Sequence, residues 1–370
     1  MSNPVLIELT RGALVETVHR GAVAIARPSG ELTVGIGDVR RPIFPRSAIK
    51  ALQCLPVIET GAADRYGFGA AEIALACASH SGTERHVAVA QGMLARAGRT
   101  AGDLGCGAHE PIGEAALRAM LLERGAATAL HNNCSGKHAG MVCTACHLGE
   151  DVAGYLDPRH PVQRRIVATL EAFSGATIGP DMVGIDGCSA PNFALPLAAL
   201  ARAFACFGAM EGPGKAHWGA IERILAACWA EPEMVAGPGR VDTRVMGAMP
   251  RRIFIKTGAE GVYCGALPEL GLGIALKIDD GAKRASEAVL LEVLERLVPG
   301  AKAAGGGARA ITNWRGTAVG SLRPAADLAR ALDELRPMAE EKRIRMDLAA
   351  EGPAPAVVRA GRPFRPCVAR

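Results

Sequence analysis

Between residues 5 and 37 the apolar positions come in short runs, VLIEL, LVETVH, AVAIA and LTVGIG, separated by Arg-Gly, Arg-Gly and Pro-Ser-Gly-Glu breakers. Short β-prone runs with turn residues between them predict an antiparallel meander. After Pro45 the periodicity becomes helical. Ala/Leu-rich stretches with charges on one side predict helices near 47–55, 70–78, 84–97, 113–123, 136–148, 161–173, 194–207 and 215–229. Strand-like runs return at IFIKT (253–257), GVYCGAL (261–267) and LGIALKI (272–278), joined by Gly-containing turns and followed by a helix at 283–297. Strands first, helices in the middle, and strands with a helix last predict an α+β chain. Its N- and C-terminal strands would share one antiparallel sheet, with the helices packed against it. The pattern stops near 336: residues 337–352 are charge-dense, and PAPAVVRAGRPFRPCVAR (353–370) has little to bury. We expect one domain over 1–336 and a disordered tail over 337–370.

Composition narrows the partners more than the fold. Apolar residues are 49% and charged residues 21%, which fits neither a disordered chain nor a coiled coil. Aromatics at 4% supply few stacking platforms for single-stranded nucleic acid. The net charge of +5 points the same way, because Arg359, Arg362, Arg365 and Arg370 carry four of the five surplus charges in the tail. A nearly neutral body gives no electrostatic footprint for DNA or RNA, so no nucleic-acid partner is expected. The N-terminus lacks a basic segment followed by an apolar one, and no apolar run reaches the roughly 18 residues of a membrane span. No membrane association and a cytoplasmic location are expected. Eleven cysteines in that compartment read as buried thiols, ligands or reactive groups rather than a disulfide framework.

Two short motifs carry nucleophile-and-base chemistry. Ser47-Ala48-Ile49-Lys50 follows Pro45-Arg46 at a helix start, one helical turn separating hydroxyl from amine. By itself this pattern also describes a helix cap with a solvated lysine. Lys256-Thr257-Gly258 ends a predicted strand, and SxxK followed by a late KTG is the active-site pair of serine β-lactamases and penicillin-binding proteins. Between them Ser79-His80-Ser81 closes a helix and offers a hydroxyl to Lys256. Paired Ser and Lys suit acyl transfer, with oxyanion donors expected from the N–H of Ser47 and from one just after Lys256. With no export leader, a small cytosolic amide is the expected substrate.

A second group of residues is His131-Asn132-Asn133-Cys134-Ser135-Gly136-Lys137-His138, with Cys188 in the loop GIDGCSAPNF. Two thiols on loops can take a borderline-soft metal, Zn²⁺ above all, completed by Lys137 or His138; ligand chemistry alone prefers His138. Buried free cysteines remain the alternative. Cys143-Thr144-Ala145-Cys146-His147 spells CxxCH, but it lies mid-helix in a chain with no export leader, so it reads as packing rather than haem attachment.

At these positions the sequence resembles the Rhizobium etli-type, or class 3, L-asparaginases of the asparaginase II family. The resemblance rests on RGAVAI (20–25), PRSAIKALQ (45–53), ASHSGTERH (78–86), HNNCSGKHAGM (131–141), GIDGCSAPNFALPL (184–197), KTGAEGVY (256–263) and NWRGTAVGSLRP (313–324). It implies a serine β-lactamase-like or penicillin-binding-protein-like fold, a homodimer, and hydrolysis of L-asparagine to L-aspartate and ammonia. The pairs it implies are Ser47 with Lys50 and Ser79 with Lys256. The zinc ligands it implies are Cys134, Lys137 and Cys188, which sets aside the preference for His138. Asp186 and His138 become candidate substrate residues, and Arg46 could meet the substrate carboxylate bidentately. Glutaminase is the neighbouring activity, since one methylene in a pocket is worth only about 1–3 kcal/mol. A non-catalytic metal or amino-acid sensor and a cell-wall-type serine hydrolase are the readings from other classes.

Overall fold

The computed structural model describes residues 2–306, 310–333 and 335; the expected boundary at 336 and the tail 337–370 lie outside the described residues. The N-terminal strands β1 (Val5–Arg11), β2 (Leu14–Ala26) and β3 (Leu32–Ile36) share a sheet with the late strands β4 (Phe254–Gly258), β5 (Val262–Leu267) and β6 (Leu272–Ile278). Two further strands, β7 (Ala310–Thr312) and β8 (Ala318–Pro324), complete it. The order is β7-β8-β1-β2-β6-β5-β4, with β3 also paired to β2, and every pairing is antiparallel. The shared sheet expected from the sequence is thus present.

Two of its features differ from the sequence reading. Arg20-Gly21 does not break the chain: β2 runs straight through it, pairing with β1 before the glycine and with β6 after it. A Cβ at Gly21 would sit 2.3 Å from the Lys277 carbonyl oxygen, so glycine is there for close backbone approach, not for a turn. The β7–β8 hairpin was not anticipated. Its residues are exposed or half-buried, which removes the apolar alternation that marks the other strands.

One face of the sheet is covered by the helix Leu197–Ala209 and the other by the helix Lys283–Leu297. A helical region formed by Lys50–Glu59, Ala70–Ala76, Ser135–Leu148, Pro161–Ser174 and Trp218–Ala230 packs alongside. The predicted helices are all found, with small shifts at their ends. At one edge of the sheet β4 lies against the short turn Arg46–Ile49 that opens the first of these helices. Gly258 makes this seam possible, because a Cβ there would meet the Pro45 carbonyl oxygen at 2.5 Å and Ala48 Cβ at 3.3 Å. Gly258→Ala should therefore cost about 1–3 kcal/mol through overpacking. A urea titration reads this as a lower unfolding midpoint, and an unmoved midpoint would show that the seam is loose.

Candidate active site

The seam between β4 and the helical region gathers the charged residues that the sequence singled out. Alternation along β4 puts Lys256 and Gly258 on the face that meets the Arg46–Ile49 turn. Ser79 lies just beyond the helix Ala70–Ala76, and its segment is clamped by backbone bonds from Ser79 N–H to Val235 O (2.9 Å) and from His80 N–H to Asn133 O (3.2 Å).

Both lysines converge on Ser79. Lys256 Nζ lies 2.9 Å and Lys50 Nζ 3.2 Å from Ser79 Oγ, and all three residues are buried. The expected Ser47–Lys50 contact is replaced: Lys50 directs its three protons to Ala78 O (2.5 Å), Ser79 Oγ and Cys134 Sγ (3.1 Å). Arg46–Ile49 is a tight 3₁₀ turn and Lys50 begins the α-helix, a geometry that keeps positions three apart on one side, so it is the three buried acceptors and not the turn that take the Lys50 amine. Ser47 stays half-buried, and Lys50 reaches into the interior instead. Burial, reinforced by the nearby Lys50 and Arg240 cations, brings the Lys256 pKa down to about 7 against the pull of Asp242 and Cys134.

Arg46 has φ +54, a left-handed conformation rare for a non-glycine residue, and Asp186 secures it. Its Nε and Nη2 lie 2.7 and 2.6 Å from Asp186 Oδ1. The guanidinium expected to meet a substrate carboxylate is thus already paired with a protein carboxylate. Burial raises the Asp186 pKa, but the Arg46 bond and charge outweigh this and hold it below the usual range.

The thiol group forms where expected. Lys137 Nζ reaches Cys188 Sγ at 3.2 Å, and the Cys134 thiol interacts with that of Cys188. Cys188, then Lys50 and Lys137, hold the Cys134 thiol well below its usual range despite burial, while Cys134 and burial push the Cys188 thiol up. Cys134 is thus the more acidic of the two thiols, and Lys50 and Lys137 each bond one of the pair. Burial opposes the Lys137 ammonium, yet Cys188, Cys134 and Asp186 more than compensate and raise its pKa.

His138 is not part of this group. Its Nδ1 lies 2.6 Å from the Tyr155 hydroxyl, which also accepts the Gly105 N–H at 2.7 Å, while its buried Nε2 has no partner among the described residues. Burial, with Lys137 and Lys50 nearby, lowers its pKa well below the usual value and keeps the ring neutral. Among the described residues, no three His, Cys, Asp or Glu side chains come close enough together to hold a metal. A metal at the thiols would therefore need the Lys137 amine. Two thiols and an amine suit a borderline-soft ion, provided Lys137 gives up its proton. The CxxCH residues are absorbed in packing: Cys143 donates to Met93 O, Arg99 bonds Cys146, and His147 meets Thr60 O.

Two participants were missed in the sequence. Arg240 donates to Ser79 O (2.6 Å). Asp242 takes the Thr257 N–H (2.9 Å) and the Tyr263 hydroxyl (2.9 Å). The amide directly after Lys256, an expected oxyanion donor, is thus already engaged. Asp242 opens the helix Val241–Ala248, where an acidic residue reads as ordinary complement to the helix dipole.

A hydroxyl held between two amines is an arrangement that suits nucleophilic chemistry at a carbonyl. Residues 7–324 match the L-asparaginase II family, and the chain belongs to that family. It is an amidohydrolase of the L-asparaginase kind. No curated protein matches the chain. Among solved structures, native Mglu crystallised with 4.3 M NaCl is 14% identical and covers 90% of this chain and 78% of its own, at a TM-score of 0.37. A second native Mglu structure is 16% identical and covers 94% of this chain and 93% of its own, at a TM-score of 0.31. Among the described residues no helix is long and apolar enough to cross a membrane.

Proposed function

We propose that the chain hydrolyses the side-chain amide of L-asparagine through an acyl-enzyme on Ser79, with Lys256 as the base. The observation that carries this reading is the contact of Ser79 Oγ with both lysine amines. Lys50 donates to Ser79 Oγ as well as to Ala78 O and Cys134 Sγ. Lys256, near neutrality in its titration, offers a lone pair to the Ser79 proton.

Ser79 Oγ attacks the amide carbon as its proton passes to Lys256 Nζ, and the first-turn amide of Ser47 faces the oxyanion. Lys256 returns that proton to the amide nitrogen as the C–N bond breaks and ammonia leaves. Water then attacks the ester, gives its proton to Lys256, and frees aspartate as Ser79 regains its hydrogen. His138 offers its unpartnered Nε2 to the substrate, and Asp186 holds Arg46 at the mouth of the site.

Cys134, Lys137 and Cys188 would hold zinc. When bound, the ion supplies a fixed positive charge that orients the substrate. Metal analysis of purified protein should find about one zinc per chain, with loss of most of it in Cys188→Ala. Chelation should raise KM for asparagine more than it lowers kcat. Metal-free protein with the same KM would remove zinc from the account.

A further inference from the structure

Asp242 is a fully buried carboxylate to which neither the family match nor the proposed steps assign a role. Its two bonds tie the end of β4 to the helix Val241–Ala248: Oδ1 accepts the Thr257 N–H and Oδ2 the Tyr263 hydroxyl, each at 2.9 Å. An asparagine could make both, with its oxygen accepting from Thr257 and its amide nitrogen donating to the Tyr263 oxygen. Hydrogen bonding alone therefore does not call for a charge, and an ionised carboxylate in a dry interior is costly.

The surroundings supply a reason for the charge. Lys50 from its helix and Arg240 from the turn before Asp242 are two basic residues that meet the Ser79 segment beside Lys256. The thiols of Cys134, Cys77 and Cys228 also lie within electrostatic reach of Lys256, and Cys264 sits directly across the strand pair. Asp242 is the one carboxylate among the groups acting on Lys256, and it sits on the residue next to Lys256 in the strand.

We propose that Asp242 is a positioning residue: it fixes the strand that carries Lys256, and its charge keeps that amine basic enough to accept and hold the Ser79 proton. The inference rests on the Ser79–Lys256 pairing proposed above. Without the carboxylate, Lys256 would be neutral over a wider range of pH but a weaker base, because the charges of Lys50 and Arg240 would go unopposed.

The test is the pH profile of kcat/KM for asparagine in Asp242→Asn, with Arg240→Gln beside it. Activity rises with pH as Lys256 loses its proton. In Asp242→Asn this acid limb should move down by about one pH unit, the effect of removing a near opposite charge, and the plateau should fall about tenfold with KM unchanged. Arg240→Gln removes a cation and should move the limb up. Opposite displacements support the proposal. If Asp242→Asn does not fold, the upward shift in Arg240→Gln still decides, since an unmoved limb contradicts control by charge. Equal losses in both variants with the limb unmoved would make Asp242 structural only. If Ser79→Ala retains turnover, the pairing itself fails, and that result is distinct from either limb.

Discussion

Replacing Ser79 by alanine should lower ammonia release from asparagine by about a thousandfold or more, the scale expected when an activated nucleophile is removed. The substitution deletes one oxygen that serves both lysines and takes no other contact away. Two buried amines would then face each other without a mediator. The fold should survive, because the clamp on this segment is made of backbone bonds to Val235 and Asn133. The far-ultraviolet circular dichroism spectrum checks this, and an ammonia assay reads the loss. Ser47→Ala is the informative comparison. It removes a half-buried hydroxyl but keeps the Ser47 amide, so its loss should be much smaller; equal losses would give Ser47 a share in the chemistry.

The second large effect is expected at Lys256. Lys256→Met keeps most of the side chain's length and removes the base, so kcat should fall by about two to four orders of magnitude. The pH dependence carries further information. Burial and the neighbouring cations lower the Lys256 pKa to about 7, so the wild-type rate should climb as pH rises through that value. That limb should vanish from whatever activity Lys256→Met retains. Stability follows the same group with a definite sign. The unfolded chain binds more protons at Lys256 than the folded one between about pH 7 and the usual lysine range. Stability from this residue therefore rises with pH across that window, and below it the folded state carries the full cost of a buried ammonium.

Much of this site was legible in the chain before folding. SxxK, the ASHS segment and KTG name three of the elements that meet, and Cys134, Lys137 and Cys188 do converge. The pairing was not legible. A spacing of three suggests that Ser47 and Lys50 pair, but the Lys50 amine goes to Ala78 O, Ser79 Oγ and Cys134 Sγ, acceptors from distant segments that no local spacing reveals. Arg46 was legible as a cation near the site and not as the partner of Asp186, since nothing in sequence shows that two loops 140 residues apart close on each other. Asp242 and Arg240 had no motif at all. In the fold, strands with regular apolar alternation were readable. The exposed β7–β8 hairpin was not, and Gly21 imitated a turn because close backbone approach and chain reversal both select glycine.

The most direct measurement is trapping of the covalent intermediate. Protein quenched in acid during asparagine turnover, digested and examined by mass spectrometry should carry an aspartyl ester on the peptide containing Ser79. The ester should be absent in Ser79→Ala and should accumulate when deacylation is slowed. An ester on Ser47 instead, or steady ammonia release with no serine ester at any time, would contradict the account.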